Sequence, residues 1–306
     1  MSNSQNTEIF HVPVLLKESI DGLNVLSDGI YVDVTFGGGS YSKQILSALG
    51  DGKLFVFDQD EDAFKNRIND DRIIYIKHNF RFLKYFLKYH QIEKIDGLVA
   101  DLGVSSNQFD TDYKGFSYRT DGPLDMRMNK KASISAKEVV NNFHENDLKR
   151  IFWKYGEIKN TNKLVKQICE YRASNKIESI NNFLDSISPC VPKINDYKYL
   201  SKVFQAIRIE VNDELTSLKE LLMQTKDLLK INGRVSIVSY HSAEDKIVKN
   251  FFKSGNFEGI VKKDLYGNKI VDIEPVNTKV IVPDEFEIEK NKRSRSGKLR
   301  IAKKIL

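Results

Sequence analysis

A glycine-rich turn, Asp33-Val-Thr-Phe-Gly-Gly-Gly-Ser, lies between a short apolar run and a stretch with helical character. Several glycines between a strand and a helix allow the backbone to approach a ligand closely. No Gly-Lys-Ser/Thr follows, so the turn is not a Walker loop. Ser42 stands where a dinucleotide fingerprint needs its third glycine, which disfavours pyrophosphate and leaves room for a nucleoside ligand. Taken alone, the turn is equally compatible with a purely structural role.

An acid follows the next apolar run at the distance expected of a ribose-binding residue. Asp58 ends the run Lys53-Leu-Phe-Val-Phe-Asp, about 20 residues beyond the glycine turn, where a carboxylate can accept hydrogen bonds from ribose hydroxyls. An isolated Asp at such a position is more often a helix N-cap. The turn and the acid together favour an adenosine ligand.

Polar residues also follow two further strand candidates. Asp101-Leu-Gly-Val-Ser105-Ser ends the fourth, and Ser239-Tyr-His241-Ser ends a later one. In an open parallel sheet, ligands bind beyond the carboxyl ends of the strands. We therefore expect Asp101, Ser105 and His241 to surround a polar substrate. The alternatives are an ordinary turn-forming Asp and a structural His.

The elements that must position these groups alternate between strand and helix, which predicts an α/β fold with a parallel sheet covered on both faces. The first third contains strand candidates at 29–34, 53–58, 73–77 and 97–102, and helix candidates at 40–49 and 61–68. No strand signal appears between about 105 and 200, where helices are predicted at 136–143, 147–155, 162–173 and 180–187.

After that helical region the α/β pattern resumes. A helix over 214–230 is expected to end at Asn232-Gly-Arg, and a strand over 235–240 follows. Ser242 and Asp245 then have the spacing of a capping box for the next helix. The sequence predicts a core formed by 1–105 and 204–306, with a helical insertion at 106–203.

Composition is that of an ordinary globular protein, with 41% hydrophobic and 29% charged residues. No stretch has the roughly 20 apolar residues of a membrane span, and the polar segment 1–7 does not resemble a secretory signal. Cys169 and Cys190 are too few for a disulfide framework or a metal site. We expect a cytoplasmic protein without a structural metal.

The net charge of +6 is concentrated at the C-terminal end, because 290–306 contains eight Lys or Arg and no acid. Leu299, Ile301 and Ile305 lie among these charges. A short edge strand with a basic face that meets phosphates is one interpretation. A solvated tail is the other.

Taken together, the motifs closely resemble the bacterial family that methylates the exocyclic N4 amine of a cytidine in the decoding region of 16S ribosomal RNA. They follow one another in order from residue 11 to residue 300. The matching segments are His11-Val-Pro-Val-Leu-Leu, Asp33-Val-Thr-Phe-Gly, Asp58-Gln-Asp, Asp101-Leu-Gly-Val-Ser-Ser-Asn-Gln, Gly115-Phe-Ser, Asp121-Gly-Pro-Leu-Asp-Met-Arg-Met, Gln205-Ala-Ile-Arg-Ile-Glu-Val-Asn-Asp-Glu-Leu, Ser239-Tyr-His-Ser-Ala-Glu-Asp and Arg293-Ser-Arg-Ser-Gly-Lys-Leu-Arg.

The resemblance implies a class I S-adenosylmethionine-dependent methyltransferase, a Rossmann-like doubly wound sheet with a helical domain inserted after the fourth strand. It implies an rRNA (cytosine-N4-)-methyltransferase whose cofactor is S-adenosyl-L-methionine. With Gly37 added from the turn itself, the implied cofactor contacts are Gly37, Gly39, Ser40, Tyr41, Asp58, Phe80, Asp101 and Gln108. The family usually has Gly-Gly-His where this chain has Gly39-Ser40-Tyr41, a departure that bears on cofactor affinity.

On this interpretation, the partner is 16S ribosomal RNA within the small ribosomal subunit, and no membrane is involved. We expect the insertion to bind the RNA together with four basic residues, Arg293, Arg295, Lys298 and Arg300. A homodimer is a possible assembly. Two alternatives remain at this stage. One is an RNA-binding ribosome assembly factor with weakened catalysis, and the other is a class I methyltransferase that acts on a protein or a small molecule.

Overall fold

The computed structural model describes residues 13–306, and the chain forms two compact units. The core unit comprises the chain up to Asp58 together with Asp62–Gly103 and Lys219–Leu306, and the inserted unit comprises Gln59–Glu61 and Val104–Leu218. The polar segment 1–7, and His11 and Val12 of the predicted opening motif, lie outside the described residues.

A seven-stranded sheet forms the centre of the core unit, in the order β3-β2-β1-β4-β5-β7-β6. The strands are β1 Ile30–Asp33, β2 Lys53–Phe57, β3 Ile73–Ile76, β4 Ile95–Asp101, β5 Leu229–Ser239, β6 Ile273–Pro275 and β7 Lys298–Lys304. The first five are parallel, whereas β7 is antiparallel to both its neighbours. Because the order reverses between β1 and β4, their carboxyl ends border the crevice where such sheets bind ligands. The predicted doubly wound α/β class is confirmed.

The parallel strands are apolar on both faces, as strands covered on two sides must be. In β2, Leu54, Phe55 and Val56 are all at most 1% exposed. In the register, Asp33 at the end of β1 lies beside Val56 of β2 and Val99 of β4. This places a carboxylate in the middle of the sheet, directly below the glycine turn.

Helices of the core unit cover this sheet. They are α1 Leu16–Leu23, α2 Ser40–Ala48, α3 Leu83–Tyr89, α11 Ser242–Ser254 and α12 Glu285–Lys290, while α10 Glu214–Leu228 begins in the inserted unit and ends in the core unit. The helix predicted over 61–68 is wrong, because only a 3₁₀ turn forms over Glu61–Asn66. At its end, the Asn66 side chain donates to the Gly37 carbonyl (3.0 Å), a tertiary contact that ties this 3₁₀ turn to the glycine turn.

The start of β5 also differs from the prediction. The preceding helix ends at Leu228 and β5 begins at once, so that Asn232 lies within the strand and does not terminate a helix. Asn232 has φ 67°, a left-handed conformation that Asn tolerates better than most residues. The register with β4 shifts at the same level, between Ile95 and Gly97. The Asn-Gly pair therefore lies at an irregularity in the pairing of β4 with β5.

The inserted unit is helical. Its helices before the shared α10 are α4 Ser106–Asp110, α5 Ala136–Asn142, α6 Glu145–Lys154, α7 Thr161–Ser174, α8 Ile180–Ile187 and α9 Asp196–Asn212. They surround one apolar core, and residues 104–218 contain no strand, only the isolated bridge between Pro123 and Ser179. The 17-residue α9 was not predicted. It contributes Val203, Phe204 and Ile207 to this core, which is why the unit continues to Leu218 and does not end at the predicted 203.

The basic C-terminal segment forms β7, but β7 is not an edge strand, because β6 pairs with it on the side away from β5. Leu299 and Ile301 are buried in the core unit. The edge-strand interpretation is therefore wrong, since the apolar residues of the segment serve the sheet interior. Among the described residues, no helix has both the length and the apolar character that crossing a bilayer demands.

Candidate functional site

The glycine turn connects β1 to α2 and requires glycine at two positions. Gly37 has φ 49° and Gly39 has φ 75°, a region that side chains disfavour. A Cβ on Gly39 would lie 3.0 Å from the Phe36 ring, whereas a Cβ on Gly38 would meet nothing within 4 Å. The turn therefore presents bare backbone to open space on one side and packs tightly on the other.

Asp33 holds this turn from below. Its carboxylate accepts hydrogen bonds from the Ser42 hydroxyl (2.7 Å) and from the Thr35 amide (3.1 Å). Burial raises the pKa of Asp33 to about 6, although these hydrogen bonds oppose the rise. The Thr35 hydroxyl accepts the amide hydrogen of Asp101 (2.7 Å), which connects the turn to the carboxyl end of β4.

Asp58 lies beside the turn, as the ribose-binding prediction requires. It follows β2 directly and is half-buried. Its Oδ2 accepts the amide hydrogen of Gly37 (2.9 Å). The core unit therefore brings together the turn and the acid that the sequence placed about 20 residues apart.

Asp101 ends β4, and its carboxylate is oriented by a tyrosine from the neighbouring strand. The Tyr240 hydroxyl, just beyond β5, donates to Asp101 Oδ1 at 2.6 Å. Burial raises the pKa of Asp101 to about 7, and the nearby charges of Asp33, Glu244 and Glu287 add to the rise, while the Tyr240 hydrogen bond lowers it. Asp101 Oδ2 accepts no hydrogen bond from a described residue. One carboxylate oxygen is thus fixed while the other remains open to a ligand.

His241 follows Tyr240 and is the N-cap of α11. Its Nδ1 accepts the amide hydrogen of Glu244 (3.4 Å), and Glu244 Oε2 accepts the amide hydrogen of Tyr240 (3.0 Å). The predicted capping box of Ser242 and Asp245 is therefore shifted by one residue. The imidazole and the Glu244 carboxylate together satisfy the free amides of the helix start.

Tyr240 and Glu244 are the site residues that sequence reasoning missed. Both lie inside the quoted Ser239-Tyr-His-Ser-Ala-Glu-Asp motif. Glu244 is 3% exposed, and its Oε1 lies 3.2 Å from His241 Nε2, in a geometry that does not form a regular hydrogen bond. A buried acid at helical position N3 was the available signal, and it points to support of the His241 ring.

The remaining cofactor positions of the core unit are less directly placed. Ser40 begins α2 and is half-buried, and Phe80 is half-buried at the start of a 3₁₀ turn, Phe80–Phe82. Tyr41 is buried at 4% exposure, and its hydroxyl donates to the Val14 carbonyl. The phenol that replaces the family's imidazole therefore anchors α2 to the chain just before α1.

Ser105 and Gln108 belong to the inserted unit. They form the capping box of α4, in which the Gln108 amide donates to Ser105 Oγ (3.2 Å) and the Ser105 amide donates to Gln108 Oε1 (3.1 Å). Gln108 Nε2 also donates to Asp60 (2.8 Å), which forms a 2.6 Å ion pair with Lys114. Asp60, Gln108 and Lys114 are each at most 5% exposed, so this network is a buried polar knot of the inserted unit.

The four basic residues predicted to bind RNA divide into two pairs. Arg293 and Arg295 are exposed in the turn Lys292–Ser296. Arg300 donates to Asp245 at 2.7 Å, and Lys298 lies 3.6 Å from the same carboxylate. The first pair faces solvent, whereas the second serves mainly to hold β7 against α11.

The core unit suits S-adenosylmethionine. The bare turn and Asp58 offer backbone contact and a ribose acceptor. Asp33, Glu244 and Glu287 repel the charge of Asp101, and a ligand that carries a positive sulfonium and an ammonium group relieves such repulsion. The donor set therefore fits a cationic nucleoside better than a nucleotide phosphate.

Comparison with known proteins places the chain in a family. The model of the MraW methylase family matches residues 8–305. The chain is also similar to proteins named ribosomal RNA small subunit methyltransferase H. The protein of that name from Bacteroides fragilis is 54% identical, and the alignment covers 96% of this chain and 97% of the relative. Those of Christiangramia forsetii and Flavobacterium johnsoniae are 52% and 50% identical, each with 97% of this chain and 98% of the relative covered. The chain belongs to the MraW methylase family.

Proposed function

We propose that this protein transfers a methyl group from S-adenosylmethionine to the exocyclic N4 amine of a cytidine in the decoding region of 16S ribosomal RNA. The observation that carries the proposal is the near full-length similarity to small-subunit ribosomal RNA methyltransferases H. The core unit supports it with a bare glycine turn, a ribose-binding acid and a second acid at the ends of β1, β2 and β4. Because bacterial ribosomal subunits are assembled in the cytoplasm, we place the reaction there.

Residues of the turn and the neighbouring strand ends would hold the cofactor. Asp58 would accept hydrogen bonds from the ribose hydroxyls, Phe80 would pack on the adenine ring, and the turn at Gly37 and Gly39 would allow close backbone contact. Gln108 has a cofactor role by family resemblance alone, since both ends of its amide already take part in the buried knot. The cofactor supplies an electrophilic methyl group on a sulfonium.

The protein must then align a poor nucleophile. The N4 lone pair of cytosine is shared with the ring, which makes the amine weakly nucleophilic. The protein therefore acts mainly by positioning the amine against the methyl group, which can lower the barrier by about 7–11 kcal/mol. Asp101 Oδ2 accepts a hydrogen bond from the amine, while the Tyr240 hydroxyl donates to Asp101 Oδ1 and holds the carboxylate in place. With a pKa of about 7, Asp101 is substantially ionised at neutral pH and is suited to take up the proton that leaves nitrogen.

His241 borders the same strand ends and is steadied by Glu244. We assign it to contact with the cytosine, and we keep Ser105 as a further catalytic candidate on the strength of the family motif. The target base must leave its stack at a cost of a few kcal/mol. Arg293 and Arg295, the exposed pair of the basic segment, would contact phosphates and make binding weaken steeply with salt.

Single-turnover methylation of small ribosomal subunits that lack the modification tests the proposal. We expect Asp101→Ala, Ser105→Ala and His241→Ala to slow the reaction while cofactor binding, measured by calorimetry, persists in at least the His241 variant. Rates near wild type for all three would refute the assigned roles. Absence of cofactor binding by the wild-type protein, with RNA binding retained, would favour the assembly-factor alternative.

A further inference from the structure

We propose that the inserted unit contains a binding site for one unstacked nucleotide of single-stranded RNA, built around Trp153. The proposal rests on the proposed function and adds a substrate contact to it. The site is a pocket of about 410 Å³ between α6 and the beginning of α7. That volume lies near the lower end of the range for small-ligand pockets, about 300–1,000 Å³, which suits a single nucleotide.

Trp153 is the one tryptophan of the sequence, and it is 66% exposed on α6. It does not serve the helical core, because Leu148, Ile151 and Phe152 of the same helix are fully buried in its place. An exposed indole offers a flat apolar face on which a base can stack, and such stacking does not depend strongly on which base it is. Among the described residues of the inserted unit no ring stacks on this indole, so its face is available to a base.

Cations surround the ring. Lys149, Arg150 and Lys159 line the pocket, and Lys149 is paired with Glu145 of the same helix at 2.6 Å. Arg150 is held by Glu210 at 2.7 Å but remains 42% exposed, so its guanidinium is fixed in place while still accessible. Lys159 is exposed and has no acid within ion-pair distance in the described part of the chain. The charge around Trp153 is thus complementary to an RNA backbone.

The other lining residues are small and polar. Asn146 and Asn162 provide amide groups that can pair with base edges or ribose hydroxyls, whereas the buried Thr161 donates its hydroxyl to the Ile158 carbonyl. Thr161 and Asn162 are also the first residues of the 14-residue α7, whose dipole adds to the positive potential of the pocket. An aromatic face, phosphate-binding cations and neutral hydrogen-bonding groups form the combination that single-stranded RNA sites use.

A duplex cannot present a base face to Trp153, so the occupant must be unstacked. The proposed reaction supplies such a segment, because the target cytidine has to leave its stack and its neighbours along the strand are then poorly stacked too. We infer that Trp153 captures a nucleotide of the segment around the target and not the target base itself. A basic protein segment would be steered away by the same three cations.

Titration with a ten-residue oligouridylate tests this directly, because Trp153 is the sole source of tryptophan fluorescence. We expect quenching as the RNA binds, and affinity about 5- to 100-fold lower for Trp153→Ala, with Trp153→Phe recovering most of the loss. Lys159→Glu should weaken binding and flatten its salt dependence. Tyr89→Ala, an aromatic residue 75% exposed in the core unit, is the matched control and should bind as wild type does.

Methylation of small subunits by the same variants separates this proposal from the proposed function. The expected result is a raised apparent KM for Trp153→Ala with little change in the rate at saturation. If the RNA does not quench the fluorescence and Trp153→Ala binds it as tightly as the wild type, the nucleotide site is refuted. Methylation by the wild-type enzyme in the same experiments would still support the proposed function. A raised KM without oligouridylate quenching would also overturn the nucleotide site and point to a ribosomal protein as the contact.

Discussion

Replacing Asp101 by Asn should stabilise the protein without ligand, and more so at high pH than at low pH. The pKa of this carboxyl is raised from 3.8 to about 7 in the folded state. The folded protein therefore binds more protons than the unfolded chain between those values, so the free energy of unfolding falls as pH rises through this window. Asn is neutral at every pH and preserves an acceptor for the Tyr240 hydroxyl.

The magnitude follows from the shift. A change of about 3 pKa units corresponds to an upper bound of about 4 kcal/mol, at about 1.4 kcal/mol per unit. Asp101 keeps part of its surface accessible, and solvent screening reduces this bound. We expect Asn to raise the free energy of unfolding by about 1–3 kcal/mol at pH 8.5. At pH 5 the gain should be about a third as large, because only about 1 of the 3 pH units between the unfolded and folded pKa values has been crossed there.

Urea unfolding followed by circular dichroism at pH 5 and pH 8.5 measures the difference. Asp70→Asn is the control, since Asp70 is paired with Arg72 and its pKa is lowered to about 2. Both pH values lie above the titration range of Asp70, so the effect of its substitution should be equal at the two. A gain for Asp101→Asn that is the same at both pH values, or a larger loss at pH 8.5, would refute the account of Asp101.

Three further substitutions test other contacts. Tyr240→Phe removes the hydrogen bond that lowers the pKa of Asp101, so the pH profile of single-turnover methylation should move to higher pH; an unmoved profile would contradict the role of Asp101 as the titrating group. Gly39→Ala places a Cβ at φ 75° and against a ring, and calorimetry should show cofactor affinity reduced about tenfold or more, because a strain of about 1–3 kcal/mol must be relieved by moving the turn. Lys114→Met leaves Asp60 buried without its cation and should cost about 3–5 kcal/mol in urea unfolding; a loss below about 1 kcal/mol would show that the knot is not a stabilising network.

The sequence predicted the core of the site because its signals are local. Buried parallel strands are continuous apolar runs, and the glycine turn follows the first of them directly. The spacing from that turn to Asp58 predicts a ribose-binding position without knowledge of the fold, and the structure places Asp58 beside the turn. The predicted boundaries of β1 to β4 agree with the structure to within two residues.

Contacts between distant parts of the chain were not accessible in this way. The Tyr240–Asp101 hydrogen bond joins residues 139 positions apart, and it exists because β4 and β5 are neighbours in the sheet, on either side of the inserted unit along the chain. Helix α9 has Asn195 as its N-cap, and this residue has φ 59° and makes no side-chain cap bond. It therefore lacks a conventional start signal, and its tertiary contacts determine its position.

The central claim is that this chain methylates N4 of a cytidine in 16S ribosomal RNA with Asp101 as an essential group. Mass spectrometry of 16S ribosomal RNA nucleosides, in a bacterial strain that lacks its own enzyme of this family, tests it most directly. We predict that the wild-type protein restores N4-methylated cytidine and that Asp101→Ala, at equal abundance, does not. Full restoration by Asp101→Ala, or no restoration by the folded wild-type protein, would contradict the account.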